Sequence, residues 1–238
     1  MRRRASLPPL LVALAACAPP SVLSPDARAE LVRESAQTPR FLRVAVYAGP
    51  FFGDEERLLL SDRPAAEFAL SEGPGAKPLA PPAFERVLAP GTPLFVERME
   101  FPTGATALTR PPSTPRDRPW VLGRVAGEKR PVVLVLSSRA LRADDVRAEL
   151  GRLLTSDDPG PALRALPEAQ RAAIGRKEVV DGMGREAAAM AWGYPDRIAV
   201  DDLAHSEEWT WSDGLRSAVF QDDRLVHFES RRADRPGT

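Results

Sequence analysis

The chain has 238 residues, with 33 basic residues against 33 acidic ones, and 43% of its residues are hydrophobic. This composition is typical of a globular protein with one large or two small domains. The balanced charge lacks the positive cluster of a nucleic-acid-binding protein, so we expect no nucleic-acid partner. Cys17 is the only cysteine, which excludes a disulfide within the chain.

Residues 1–16 have the organisation of a secretion signal, with three arginines followed by an apolar run. The run at 7–16 is too short for a hydrocarbon core, which needs about 20 residues. Leu14-Ala15-Ala16-Cys17 resembles the lipobox of bacterial lipoproteins. The resemblance implies cleavage between Ala16 and Cys17, acylation of Cys17 and membrane anchoring. An ordinary signal peptide with an incidental cysteine is the alternative.

The residue after the cysteine is Ala18. By the sorting rule known for enteric lipoproteins, this implies an outer-membrane protein that faces the periplasm. Residues 17–40 are interpreted as a lipidated tether, because prolines disfavour helix at its start. A short helix beginning at Ser24-Pro25 has scarcely any apolar face.

Residues 41–137 are predicted to form a β-rich domain, because short alternating segments are separated by glycine and proline. The predicted strands are 41–48, 57–61, 66–71, 94–101, 120–126 and 132–136. Such spacing favours a small barrel or sandwich. Pro90-Gly91-Thr92 before a strand, and Trp120 at the start of another, resemble bacterial SH3-like barrels. This resemblance implies binding of peptidoglycan or another glycan as one alternative function.

Residues 138–175 are predicted to be a helical connector. Val146, Leu150 and Leu153 share one helix face, and acidic residues occupy the first turn, where the helix dipole favours them. Asp157-Asp158-Pro159-Gly160 ends this helix, and Gly175 is a suitable residue after a second one.

Residues 176–230 are predicted to contain a short helix at Arg185–Trp192 and a three-stranded antiparallel meander. Asp213-Gly214 predicts the first hairpin turn, because both residues tolerate positive φ, and Asp222-Asp223 predicts the second. The predicted structural core of this region consists of Met183, Trp192, Trp209 and Trp211. Residues 231–238 form a charged tail. The fold class is therefore α+β.

Several motifs in this region resemble the SmpA/OmlA or BamE-like lipoprotein domain. They are Gly182-Met183, Gly193-Tyr194-Pro195, Trp209-Thr210-Trp211, and Phe220 followed by Val226. Gly184, Trp211 and Asp223 depart from the usual pattern, which has Ser or Thr, Tyr and Gly there. The resemblance implies a small non-catalytic α+β sandwich that docks in envelope assemblies.

Few residues in the sequence indicate a catalytic or metal-binding site. His205 and His227 are too few for a metal site or a nucleophilic triad, and Asp201-Asp202 with His205 is interpreted as a solvated loop. We therefore expect no catalytic residues, no metal and no cofactor. The expected function is a non-enzymatic, lipid-anchored docking component for an envelope protein of unknown identity. The alternatives are glycan binding by the β-rich domain or, third, a cell-wall hydrolase that uses acidic residues of that domain.

Three further features have competing interpretations. The paired carboxylates Glu55-Glu56 and Glu207-Glu208 should point to opposite faces of their strands and serve as surface charge. The Pro-x-x-Pro segment at 110–115 suits either polyproline II recognition or a stiff loop between strands. Phe51 and Phe52 are explained equally by packing and by recognition.

Overall fold

The computed structural model describes residues 23–36, 40–65, 79–103, 109–137, 140 and 142–230. These residues form a curled eight-stranded sheet, a four-stranded sheet and five helices. The mixed helix-and-sheet class is therefore confirmed. The lipobox with Ala16 and Cys17, the predicted strand at 66–71 and the tail at 231–238 lie outside the described residues.

The elements follow one another as a β-rich half, a run of helices and a second sheet. The helices are α1 Pro25–Ala36, α2 Ala143–Leu153, α3 Gly160–Ala165, α4 Glu168–Gly175 and α5 Arg185–Trp192. The strands of the large sheet are β1 Arg40–Leu42, β2 Val46–Phe51, β3 Asp54–Ser61, β4 Arg86–Leu88, β5 Pro93–Glu100, β6 Trp120–Val125, β7 Val132–Val135 and β8 Leu154–Thr155. The strands of the small sheet are β9 Arg197–Asp201, β10 Ser206–Trp211, β11 Arg216–Gln221 and β12 Arg224–Ser230.

The large sheet has the order β4-β2-β3-β7-β6-β5-β1-β8 and is buried on both faces at its centre. Its central strands β3 and β7 are its parallel pair. Leu58 and Leu60 lie in the main core, whereas Leu59 lies in a smaller cluster with Phe51 and Trp120. Because neighbouring residues of a strand face opposite sides, such a centre requires a continuous apolar run.

The predicted single strand at 41–48 is wrong, because the chain forms two strands there. The backbone between β1 and β2 bonds to other elements. The N–H of Arg43 donates to the carbonyl of Leu153 at 2.8 Å, and the N–H of Ala45 donates to the carbonyl of Met190 at 2.7 Å. The alternation in the sequence is real, but backbone partners from helices α2 and α5 interrupt it.

The prediction of a tether is wrong for residues 23–36. Helix α1 packs on β5 and α2, and Leu23 and Leu31 are buried in the main core, Leu31 with only 1% exposure. Arg147 on α2 also donates two hydrogen bonds of 2.9 Å to the carboxylate of Glu34. The helix has few apolar residues, but their positions make one contact face.

The predicted connector at 138–175 does contain three helices, but it is not a separate segment. Helix α2 packs against α1, and β8 pairs with β1 at the edge of the large sheet. Helix α4 instead contributes Ala173 and Ile174 to the core of the C-terminal half. The boundary between the two halves therefore falls after β8.

The small sheet is an antiparallel meander of four strands in the order β12-β11-β10-β9, one strand more than predicted. The missed strand, β9, has an alternating sequence but is exposed throughout. The turn after β10 is a 3-10 turn at Ser212–Gly214 with positive φ at Ser212 and Gly214, not the predicted two-residue hairpin turn. A turn with positive φ at both central residues occurs instead at Asp222-Asp223.

We predict that Leu31→Ala lowers the free energy of unfolding by about 2–5 kcal/mol, as expected for a buried leucine. Chemical denaturation followed by circular dichroism measures this loss. Arg33→Ala, on the exposed face of the same helix, is the control and should change stability little. Equal stability of the two variants would mean that α1 does not pack on the core.

A second prediction concerns Glu149 of α2. Burial raises the pKa of its carboxyl group, although the N–H of Ser137 donates to Oε1 at 2.7 Å. A raised native pKa means that the folded state loses stability as the pH rises through it. Glu149→Gln keeps an acceptor and removes the charge, so it should increase the free energy of unfolding at pH 7. The increase should shrink as the pH falls towards 4.5, the ordinary carboxyl value. Denaturation curves at several pH values, with the exposed Glu55→Gln as control, check this.

Candidate functional site: the C-terminal sheet

Helix α5 holds the C-terminal sheet through its small residues. Its alanines, Ala187, Ala188, Ala189 and Ala191, are all buried. Small side chains let the helix lie close to the sheet. The helix ends at Gly193, whose φ of +86° favours glycine and whose N–H donates to the carbonyl of Ala189 at 2.8 Å.

Three tryptophans form the centre of this half. Trp192 meets Trp211 edge to face with ring centroids 5.3 Å apart, and Trp209 lies 5.8 Å from Trp211. Each indole N–H has an acceptor: Trp192 donates to the carbonyl of Lys177, Trp211 to that of Gly193 and Trp209 to the carboxylate of Glu207. All four residues named from the sequence, Met183 included, lie in this one buried cluster.

Arg216 belongs to the same cluster. It is 5% exposed, and its guanidinium carbon lies 5.4 Å from the ring centroid of Trp192 and 6.0 Å from that of Trp211. A delocalised cation over aromatic faces is an arrangement that suits arginine. The alternation of β11 could have suggested this position, because Arg216 shares a face of the strand with Ala218 and Phe220, and all three are buried.

The glycine and methionine of the first motif tie the helix region to the sheet. The N–H of Gly182 donates to the carbonyl of Leu225 at 2.9 Å, and the N–H of Leu225 donates to the carbonyl of Met183 at 2.8 Å. Asp223 accepts a 2.6 Å hydrogen bond from Nε of Arg185 at the start of α5. This hydrogen bond lowers the pKa of the Asp223 carboxyl group.

The sheet has an inner face, which carries the tryptophans, and an outer face on the opposite side. The register places Glu208, Thr210, Ser217, Val219 and His227 on the outer face. Glu208 and His227 are exposed, and the other three are partly exposed. Among the described residues, no helix or strand covers this face with an extensive contact. It is a polar surface open to solvent or to a partner.

Both edges of the sheet are unpaired within the described part of the chain. Strand β12 forms one edge and β9 the other. Large apolar side chains are exposed along both: Ile198, Val200 and Leu203 beside β9, and Val226 and Phe228 on β12. Unpaired strand edges offer N–H and C=O groups to another strand.

The cluster of Asp201, Asp202 and His205 lines an open depression of about 260 Å³ between β9 and the Asp222-Asp223 turn. Oδ1 of Asp201 accepts hydrogen bonds from the N–H groups of Leu203 and Ala204, both at 3.0 Å. This carboxylate therefore shapes its own turn. No group of three metal-ligating side chains occurs within the described ranges.

The Pro-x-x-Pro segment is a packed loop. The guanidinium of Arg110 lies 3.7 Å from the ring centroid of Trp120 and donates to the carbonyls of Arg116 and Arg118. Trp120 in turn donates its indole N–H to the carbonyl of Pro115 at 3.0 Å. These contacts favour the structural interpretation over recognition of the prolines.

The remaining candidates also have structural explanations. Phe51 and Phe52 are buried in the small cluster of the large sheet. Glu55 and Glu56 are exposed surface charges. Glu207 lies beside Arg185, whereas its neighbour Glu208 lies on the outer face, as their alternation predicts.

None of the described helices is long and apolar enough to span a membrane. Comparisons with models of protein families, with curated proteins and with solved structures found no match. The BamE-like and SH3-like resemblances therefore rest on the motif residues of this chain.

We predict that Trp209→Ala lowers the free energy of unfolding of the C-terminal half by about 3–5 kcal/mol, because it removes a buried ring. Loss of that much energy is comparable with the whole stability of a small domain. Tryptophan fluorescence should report unfolding of this half at lower denaturant, while circular dichroism follows the large sheet. Strong quenching of native Trp209 by iodide, measured with the other tryptophans replaced by Phe, would contradict its burial.

Proposed function

We propose that this protein is a non-enzymatic, lipid-anchored envelope protein whose C-terminal sheet docks on another envelope protein. The observation that carries the proposal is the open outer face of that sheet beside the unpaired edge β12. A partner can add a strand to such an edge through main-chain hydrogen bonds and read the neighbouring side chains for specificity.

The anchor and the location belong to the same proposal. The lipobox at Leu14-Ala15-Ala16-Cys17 supports a lipid on Cys17, and Ala18 supports the outer membrane with the folded part in the periplasm. Two or three acyl chains would hold the protein stably, since each buried CH₂ contributes about 0.8 kcal/mol.

The BamE-like identity of the C-terminal half is part of the proposal as well. Its motif residues have structural roles that suit a docking module: Gly182 and Met183 bond to β12, and Trp209 and Trp211 form the core under the sheet. Such a core makes the sheet a rigid platform, which lowers the entropy lost on binding. The SH3-like identity of the N-terminal half stays a second, separate proposal.

Glycan binding by the β-rich half is the alternative function. Sugar rings commonly stack on exposed aromatic faces. Phe51, Phe52 and Trp120 are at most 7% exposed, which counts against glycan binding at these three rings, whereas Phe95 on β5 is 49% exposed and is the ring that such binding could use. A pull-down with purified peptidoglycan separates glycan binding from docking.

We expect Cys17→Ser to remove the protein from the membrane fraction or to leave it unprocessed at its precursor mass. Cell fractionation and mass spectrometry of the intact chain measure both outcomes. A mutant that still partitions into detergent like the wild type would contradict lipidation of Cys17.

Photo-crosslinking in living cells tests the docking surface. A crosslinking residue at Glu208 or Gln221, both exposed on the outer face, should give a specific adduct with an envelope protein. The same residue at Glu56 of the large sheet is the matched exposed control and should not give that adduct. Adducts at all three positions, or at none, would count against docking through this sheet.

A further inference from the structure

Strand β9 is an edge strand with only part of the usual protection of edges. All five of its residues, Arg197–Asp201, are exposed, and Ile198 and Val200 on the inner face are 51% and 61% exposed. Edges are normally guarded by short length, charged side chains, a proline, a bulge or an inward-pointing charge. Strand β9 is short and carries a charge at each end, Arg197 and Asp201. Strand β9 contains no proline, its pairing with β10 is regular, and its inner-face residues are apolar.

The sequence of β9 is complementary to itself in the antiparallel direction. When two copies pair about Ala199, Arg197 of each copy lies opposite Asp201 of the other, and Ile198 lies opposite Val200. Residues that lie opposite each other in such a pair share one face. Both ion pairs therefore fall on the outer face, and all four β-branched side chains fall together on the inner face, where cross-strand pairs of this kind stabilise a sheet.

We propose that the protein forms a two-fold symmetric homodimer in which two β9 strands pair antiparallel about Ala199. The two four-stranded sheets then form one continuous sheet of eight strands. The contact is the same on both copies, so the assembly closes at two. The proposal concerns a different edge from the docking surface and does not depend on the lipid anchor.

The charged side chains are available for this arrangement. Arg197 is exposed, and its guanidinium makes no ion pair or hydrogen bond with another residue in the described part of the chain. Asp201 uses Oδ1 for the two N–H groups of its own turn, so Oδ2 can accept from the guanidinium of the second copy. A strand from an unrelated protein has no reason to match this order of charges, which is why a second copy is the better occupant.

Charge reversal tests the register. In the full chain carrying Cys17→Ser, sedimentation across a range of concentrations should show a monomer–dimer equilibrium, since a five-residue strand pair is smaller than a standard interface. Arg197→Asp and Asp201→Arg should each shift the mass to that of the monomer, because like charges then face each other twice. An equimolar mixture of the two variants should restore the dimer, because both contacts become opposite again.

The control is Glu229→Arg, an equal charge reversal on the other edge, which should leave the dimer unchanged. Circular dichroism confirms that each variant is folded, which matters for Asp201→Arg because that change removes the turn acceptor. A wild type that stays monomeric at every concentration overturns the proposal. Variants that dimerise singly, or that fail to dimerise when mixed although folded, also overturn it.

A cysteine at the two-fold axis gives an independent test. Residues opposite each other in an antiparallel pair have Cα atoms about 4.5–5.5 Å apart, within the range for a disulfide. Ala199→Cys in the Cys17→Ser background should therefore form an intermolecular disulfide under mild oxidation, seen as a doubled mass that reductant removes. Ala204→Cys, also exposed but in the turn beyond the strand, should crosslink much less. Equal crosslinking at both positions would overturn the pairing about Ala199.

Discussion

The arrangement of the two halves depends on one short stretch of backbone at Ala45. Its N–H donates to the carbonyl of Met190, and its carbonyl accepts from the ammonium group of Lys177. Ala45 is fully buried with the C-terminal cluster, whereas Val44 and Val46 belong to the core of the large sheet. Both polar groups of one residue must be satisfied when they are buried. The C-terminal half satisfies both groups of Ala45, so these two hydrogen bonds fix the place at which the two halves pack together.

Lys177 is the residue that sequence analysis had no means to find. It is 4% exposed, has a positive φ of 55° and lies 5.2 Å from the ring centroid of Tyr47. Its carbonyl also accepts the indole N–H of Trp192. From the sequence, a lysine just beyond a helix is expected to be a solvated helix cap. No neighbouring residue indicates that its partner is the carbonyl of Ala45, 132 positions away. Contacts this distant are the product of tertiary packing and have no periodic pattern.

Sequence patterns predicted the elements whose bounds depend on residues close together in the chain. Helix α5 begins and ends where its alanine-rich sequence and Gly193 indicate, and β6 and β7 are close to their predicted bounds. The errors have a common cause. Helix α1 has few apolar residues, so its composition predicts a tether although Leu31 packs in the core. Arg216 is a charged residue, yet its guanidinium lies over two tryptophans. A count of apolar residues underestimates the packing contribution of a single buried leucine and leaves out the apolar surface that an arginine can bury.

The packing of α1 changes the picture of how the folded part meets a bilayer. With a lipid on Cys17, only six residue steps separate the anchor from Leu23, which is already fixed in the core. A chain spans at most about 3.6 Å per residue, so the segment between Cys17 and Leu23 is about 20 Å long at full extension. A connection this short restricts the rotation of the folded part as well as its distance from the membrane. The end of the molecule at which α1 begins would then face the lipid headgroups, and only part of the remaining surface could be offered to molecules in the periplasm.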